Sequence, residues 1–423
     1  MAKCQSAAEA VQCIQSGHRV FVHGAAATPS ILLQALVEEA SRLKNVELIH
    51  LHTEGKAPYA SAKFKDNFRV VSLFSGTNLR SEIGSDRVDY LPCFLSEIPS
   101  LFLSKRRPLH VALLHLSKPD RHGFCTLGTS VDVARAAIQA ADILVAQINH
   151  QMPRVHGDGF VHLDDIDHWI EVDEPLPVPE SRPLTSEELA IGATVAQMID
   201  DGACLQVGIG NIPNAVLAAL KNHKNLGVHS EMWSDGILTL LQSGAINNSQ
   251  KTVHRHKTVS GFIFGSKAVY DFINDNPSVI QLGADYVNNP LVISRNSKVV
   301  AVNSAIEVDL TGQVCADSIG HKIISGVGGQ VDFIRGAALS DGGLPIVAMS
   351  SRTKNGKSKL VVELQSGAGV VTTRAHVHCI ATEYGVADLA GKTLGERARA
   401  LIQIAHPDDR EFLSKQWHDC RRS

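Results

Sequence analysis

Short apolar runs alternate with helical patterns through the first half of this chain, and that alternation limits it to folds built from parallel βαβ units. Residues 20–22, 46–51, 70–74, 110–114 and 143–148 read as buried strands, and residues 31–37 lie in a helical segment between the first two. At 423 residues the chain is too long for one ordinary core, which predicts two domains of about 200 residues each. Pro175, Pro177, Pro179 and Pro183 crowd one acidic stretch. Prolines that close forbid both helix and central strand, so a stiff extended linker is expected. Thr185 and Glu188 then have capping-box spacing for a new helix. The boundary is placed near 180, giving domains 1–180 and 181–423.

The second half echoes the first. Residues 20–24 lead through small residues and Pro29 into a helix, and residues 205–210 lead through Pro213 into the helical pattern of 216–220. The strand after each helix ends in similar letters, His52-Thr53-Glu54-Gly55 and His229-Ser230-Glu231. Two related α/β domains are expected. Later strand candidates are 279–282, 299–302, 344–348, 359–362 and 376–380, and residues 393–419 are helical by pattern, broken at Pro407.

Composition removes several function classes. Forty basic and 43 acidic residues nearly cancel, and with no basic block or aromatic stripe nucleic acid is not an expected partner. No run of 18 or more apolar residues suggests a membrane span. The first residues lack the basic-then-apolar order of a signal peptide. The eight cysteines are scattered without a C-x-x-C pair, which fits a reducing cytoplasm and argues against zinc knuckles or a disulfide framework.

Three segments could carry chemistry. Gly208-Ile209-Gly210-Asn211-Ile212-Pro213 follows a strand and opens a helix, where backbone N–H groups attract phosphate; the same glycines equally suit a tight βα turn. Glu231, just past an apolar run, could attack an activated carbonyl once desolvated; its plain alternative is a surface carboxylate at a strand end. Ser325-Gly326-Val327-Gly328-Gly329-Gln330-Val331-Asp332-Phe333 has glycines that permit close backbone approach and an oxyanion hole, or simply a tight turn. His376 and His378 are expected on one strand face, but no third ligand accompanies them, so core or supporting roles are expected and no metal site. Lys354 lies in a loop that could meet phosphates. Residues 383–389 could form a strand-to-helix corner and are expected to be mainly architectural.

Together these motifs, with Glu383-Tyr384-Gly385-Val386-Ala387-Asp388-Leu389, Cys93-Phe94-Leu95-Ser96-Glu97-Ile98-Pro99 and Gln151-Met152-Pro153-Arg154-Val155-His156-Gly157-Asp158, resemble the acetyl-CoA hydrolase/transferase family, in its branch of 4-hydroxybutyrate and butyryl-CoA:acetate CoA-transferases. The resemblance covers nearly the whole chain and implies two CoA-transferase-type α/β domains with the active site in the cleft between them. It implies that Glu231 is the nucleophile, loaded first with acyl group and then with CoA. Gly208, Ile209, Gly210, Asn211, Ile212, Ile306, Gly329 and Lys354 become the CoA contacts. The segment Ser350-Ser351-Arg352-Thr353-Lys354 departs slightly from the usual pattern, which leaves the lysine least anchored. Glu54 holds the equivalent first-half place without the surrounding motif, and reads as substrate-side or structural. The implied partners are acyl-CoA and small carboxylates, with CoA as substrate rather than tightly bound cofactor, and a homodimer or higher assembly. The alternatives are an acyl-CoA hydrolase and a non-catalytic CoA- or nucleotide-binding regulator.

Overall fold

The structure is a computed structural model and describes residues 2–180, 182–208 and 210–420. The chain divides into two compact units. The first joins Met1–Pro179 to Val259–Val287 and Ile323–Gly326; the second joins Glu180–Thr258 to Asn288–Lys322 and Val327–Ser423.

In the first unit eight strands form one sheet: β1 (Ala2–Lys3), β2 (Arg19–Val22), β3 (Val46–His50), β4 (Phe68–Ser72), β5 (Val88–Tyr90), β6 (Leu109–Ser117), β7 (Ala141–Asn149) and β8 (His168–Val172). Their order is β1-β8-β7-β6-β2-β3-β4-β5, and every pairing is parallel. Helix α1 (Ser30–Glu38) links β2 to β3. Parallel strands are covered on both faces, which is why they read as unbroken apolar runs. Successive side chains serve opposite cores. Val20, Val22, Val111 and Leu113 pack into one core with Leu32 and Leu36 of α1, while Phe21, Ala112, Leu114 and Leu116 enter the other.

The strand expected at 279–282 exists as Val279–Gln281, but it pairs in parallel with His156–Gly157 in the first unit. Gly157 permits that pairing, since a Cβ there would lie 2.0 Å from the Gln281 carbonyl oxygen. The proline stretch has no regular structure over residues 173–180. It is tied down by Tyr270, whose hydroxyl donates to the Pro177 carbonyl at 2.7 Å.

The second unit opens with α2 (Ser186–Ala196), which has the full Thr185/Glu188 capping box. Its sheet contains β9 (Cys204–Val207), β10 (Gly227–Val228), β11 (Val299–Ser304), β12 (Leu344–Ala348), β13 (Cys379–Thr382) and β14 (Gly385–Asp388), in the order β10-β9-β11-β12-β13-β14. All neighbours are parallel except the β13–β14 pair. Helix α3 (Asn211–Ala219) links β9 to β10, with Pro213 in its first turn; α4 (Asp235–Gln242) follows β10, and α5 (Gln330–Leu339) precedes β12.

Two local details depart from expectation here. Residues 383–389 turn back as the antiparallel hairpin of β13 and β14, with Gly385 at φ 131°, a conformation closed to other residues, and only after β14 does the chain pass into the helix Leu394–Gln403. His376 lies in a turn before β13, bonded to the Thr373 hydroxyl at 2.9 Å, so the two histidines share no strand face. Among the described residues no cluster of three metal-ligating side chains occurs, and no helix is long and apolar enough to cross a membrane. The helical pattern of the tail is realised as helices Leu394–Gln403 and Pro407–Cys420, interrupted just before Pro407 as expected, with the proline opening the second helix.

Candidate active site

Glu231 stands at the C-terminal end of β10. The His229 amide still donates to Leu205 of β9 at 3.1 Å. The Ser230 hydroxyl then accepts from the Val207 amide at 3.3 Å, pinning the chain to β9 one residue before the carboxylate. Glu231 itself is half-buried. Its Oε2 accepts a hydrogen bond from Asn288 Nδ2 at 3.0 Å, and Asn288 is fully buried.

Gly329 forms the floor beneath that pair. A Cβ on it would lie 2.0 Å from Glu231 Oε2 and 2.1 Å from Asn288 Nδ2. The glycine is the N-cap of α5, so the carboxylate rests at the start of a ten-residue helix, where exposed backbone N–H groups favour negative charge. The close approach at this glycine is to the nucleophile candidate's own carboxylate.

The Gly208 loop leaves the adjoining strand. Gly208 donates its amide to Val302 of β11 at 3.0 Å. Gly210, at φ 130° and ψ −178°, occupies a region that only glycine enters readily, and caps α3. Asn211 is turned away, its Nδ2 donating to Glu188 Oε1 of α2 at 3.2 Å. Ile212 is half-buried, and Ile209 lies outside the described residues. Gln206 and Asn303 exchange hydrogen bonds of 3.3 and 3.0 Å across β9 and β11, a buried amide pair beneath the loop.

Ile306 follows β11, half-buried, with its amide on the Cys315 carbonyl at 2.9 Å. Beside it Lys359 donates to the Ala305 carbonyl at 2.9 Å, and burial brings the Lys359 ammonium down to about 8. Lys354 is exposed at the tip of a turn closed by a 2.9 Å bond from the Gly356 amide to Thr353. The base of that turn is firm: Ser351 donates its amide to Glu383 at 2.9 Å, and Arg352 grips Asp409 with two bonds of 2.8 and 2.7 Å.

Topology draws these parts together. Glu231, the Gly208 loop, Ile306 and Lys354 follow β10, β9, β11 and β12, four consecutive strands of one sheet. C-terminal ends of parallel strands are where α/β folds bind ligands. Asn288 is the residue that sequence reasoning missed. Its setting, Val287-Asn288-Asn289-Pro290, reads only as a helix start, and indeed Asn289 caps the turn Pro290–Ile293. No spacing signal connects it with Glu231.

In the first unit Glu54 is half-buried, with its carboxyl raised above the usual range by burial. Its amide donates to the Thr28 hydroxyl at 2.9 Å. A cavity of about 810 Å³ lies between residues 151–154 and the proline stretch and contains none of the candidate site residues.

Residues 1–180 match the Acetyl-CoA hydrolase/transferase N-terminal domain, and residues 265–417 match the C-terminal domain of the same family. A succinyl-CoA:acetate/propanoyl-CoA:succinate CoA transferase of Fasciola hepatica is 51% identical over 411 residues, covering 96% of this chain and 86% of that one. A 4-hydroxybutyrate coenzyme A transferase of Clostridium kluyveri is 48% identical over 416 residues, covering 98% and 97%. The crystal structure of 4-hydroxybutyrate CoA-transferase from Porphyromonas gingivalis superposes with a TM-score of 0.84 at 39% identity, over 99% of this chain and 97% of that one.

Proposed function

The chain belongs to the acetyl-CoA hydrolase/transferase family, and from that premise we propose that it is a CoA-transferase in which Glu231 becomes covalently loaded. One observation carries the reading. The Glu231 carboxylate is held by a buried amide donor and seated against a glycine at a helix N-terminus.

A carboxylate oxygen of Glu231 attacks the thioester carbonyl of an acyl-CoA. The carbon–sulfur bond breaks, CoA leaves as thiolate, and a mixed acyl-glutamyl anhydride remains. The thiolate attacks the Glu231 carbonyl, the anhydride carbon–oxygen bond breaks, and the first acid leaves as carboxylate. Glu231 now carries CoA as a thioester. An acceptor carboxylate then attacks the same carbonyl and expels the thiolate, leaving a second mixed anhydride. The thiolate attacks the acyl carbonyl of that anhydride, the bond to the Glu231 oxygen breaks, and the new acyl-CoA forms as Glu231 is restored to carboxylate. Each step exchanges one nucleophile for another without net proton transfer, and the scheme is ping-pong.

Each attack passes through a tetrahedral carbon whose oxygen carries negative charge. The Asn288 amide and the first N–H groups of α5 are the donors placed to receive it at Glu231. CoA is held along the strand ends by Gly208, Ile209, Gly210, Ile212, Ile306, Gly329 and Lys354, with Asn211, whose side chain is committed to Glu188, contributing through its backbone. Binding energy from its long, unreacting part offsets the unfavourable first attack. The relatives are named for succinyl-CoA, acetate, propanoyl-CoA and 4-hydroxybutyrate, which supports a short acyl group, here 4-hydroxybutyryl, butyryl or acetyl, and an acid such as acetate as acceptor.

The test is incubation with butyryl-CoA and acetate. Acetyl-CoA without free thiol supports transfer; free thiol alone makes the enzyme a hydrolase; neither product leaves a CoA-binding protein. Glu231→Ala should abolish exchange while the protein stays folded by circular dichroism. An active, folded Glu231→Ala protein refutes the assignment.

A further inference from the structure

β10, the strand that carries Glu231, is two residues long and lies at the edge of its sheet. Such a strand is a weak mount for a group that must hold position while bonds form and break. Its inner side is secured, because Gly227 and His229 donate their amides to Ala203 and Leu205, on the β9 side. The Val228 peptide faces the other way, where among the described residues no strand pairs with it.

The segment after α4 fills that gap in two stages. Leu226 pairs in parallel with Ile246, its carbonyl accepting from the Asn247 and Asn248 amides at 3.1 and 3.0 Å. Two residues further on, at Val228, backbone pairing stops and side chains replace it. Asn248 Oδ1 accepts from the Val228 amide at 2.9 Å. Lys251 Nζ donates to the Val228 carbonyl at 2.7 Å and to the Lys257 carbonyl at 2.7 Å. Both side chains are buried, Asn248 at 3% and Lys251 at 4% exposure. Asn248 also donates to the Thr258 hydroxyl at 3.0 Å, which fixes its amide orientation.

The strand is shaped for this arrangement. A Cβ on Gly227 would stand 2.6 Å from Lys251 Cγ, so the lysine stem crosses the strand where a side chain is missing. Asn248 has φ 56°, a left-handed conformation that asparagine tolerates better than most residues.

We propose that Asn248 and Lys251 are positioning residues for the Glu231 carboxylate, acting together as a substitute edge strand that locks the Val228 peptide. They touch no substrate and act through three residues of backbone. A buried ammonium with only carbonyl acceptors is costly for fold stability, and burial brings Lys251 down to about 8. The titratable side chain acting on it from β9 is the Cys204 thiol, itself raised to about 11 by burial. An apolar side chain of similar length would avoid the cost of burying that charge, and holding the mount of a reacting group is a reason to keep the lysine.

The inference rests on Glu231 being the loaded residue, so the experiment reads both. Wild type, Lys251→Met, Asn248→Gly and the double variant are mixed with butyryl-CoA. The adduct is trapped by acid quench at successive times and located by mass spectrometry, with steady-state exchange to acetate measured alongside. Each single variant should form the Glu231 adduct more slowly and lose kcat by up to about 100-fold, the scale of a displaced reacting group, while KM for the thioester stays within about twofold. The double variant should lose less than the product of the two single losses, because both act on one peptide. Asn248→Asp, which keeps the acceptor for the Val228 amide, should recover most of the rate lost in Asn248→Gly. Single variants that load Glu231 at the wild-type rate, or fully multiplicative losses, overturn the inference. Should Lys251→Met fail to fold, Asn248→Gly against Asn248→Asp decides it alone. A wild type that turns over without an adduct on Glu231 fails the covalent reading instead, and the two failures are distinct.

Discussion

Gly329→Ala is the most direct perturbation of the geometry at Glu231. The added methyl carbon would stand 2.0 Å from Glu231 Oε2 and 2.1 Å from Asn288 Nδ2, whereas ordinary contacts begin near 3.4 Å. Either the carboxylate or the start of α5 must yield by roughly an ångström, and misplacement on that scale costs about 100-fold in rate, or about 2.7 kcal/mol of transition-state stabilisation. The backbone itself raises no objection, since Gly329 sits at φ −99° and ψ 9°, open to alanine. Overpacking should cost about 1–3 kcal/mol of stability, so the variant is expected to fold. The assay is quenched-flow accumulation of the Glu231 adduct from butyryl-CoA, with circular dichroism and thermal unfolding on the same sample. The expected result is a folded protein with adduct formation slowed by about two orders of magnitude. A folded Gly329→Ala enzyme that loads Glu231 at the wild-type rate would refute the reasoning, because the packing of carboxylate on glycine would then have no part in catalysis.

Asn288→Ala removes the donor seen on Glu231 Oε2; kcat should fall by about 10²–10³, as for loss of one oxyanion donor, with little change in KM for the thioester, measured by steady-state exchange. Stability should also depend on acid in a defined window. His23 and His50 are brought down to about 4 and His115 to about 3, chiefly by burial. Between pH 6.5 and about 4 the unfolded chain therefore binds protons that the folded chain refuses. Stability is full above pH 6.5 and falls as pH drops through that window, by about 1.4 kcal/mol per pH unit for each such group. Urea unfolding at pH 7, 6 and 5 should show a falling midpoint, and a flat profile would contradict neutral burial of these histidines.

Much of the fold was legible because parallel strands covered on both faces write themselves as apolar runs. Residues 20–22, 46–51, 110–114, 143–148, 299–302 and 344–348 all became sheet strands within a residue or a few of their expected ends. The Thr185/Glu188 cap was equally local, one side chain answering one amide. Less was legible where local pattern underdetermines partner or direction. The 279–282 run did become a strand, though its pairing with His156–Gly157 could not be read from it. Residues 383–389 could turn toward helix or hairpin, and the left-handed φ of Gly385 decided. His376 and His378 looked paired only if a strand began three residues early.

The sequence by itself determined the α/β class, the glycine-marked turns and the acidic side chain at the end of β10, because burial periodicity and the special conformations of glycine act within a few residues. Tertiary structure decided what surrounds that acid. Asn288 reaches it from 57 positions away, Gly329 underlies it from a separate helix, and Asn248 and Lys251 brace its strand from a loop. Hydrogen bonds and contacts of that kind depend on where the backbone has been carried in space, and no spacing along the chain encodes them.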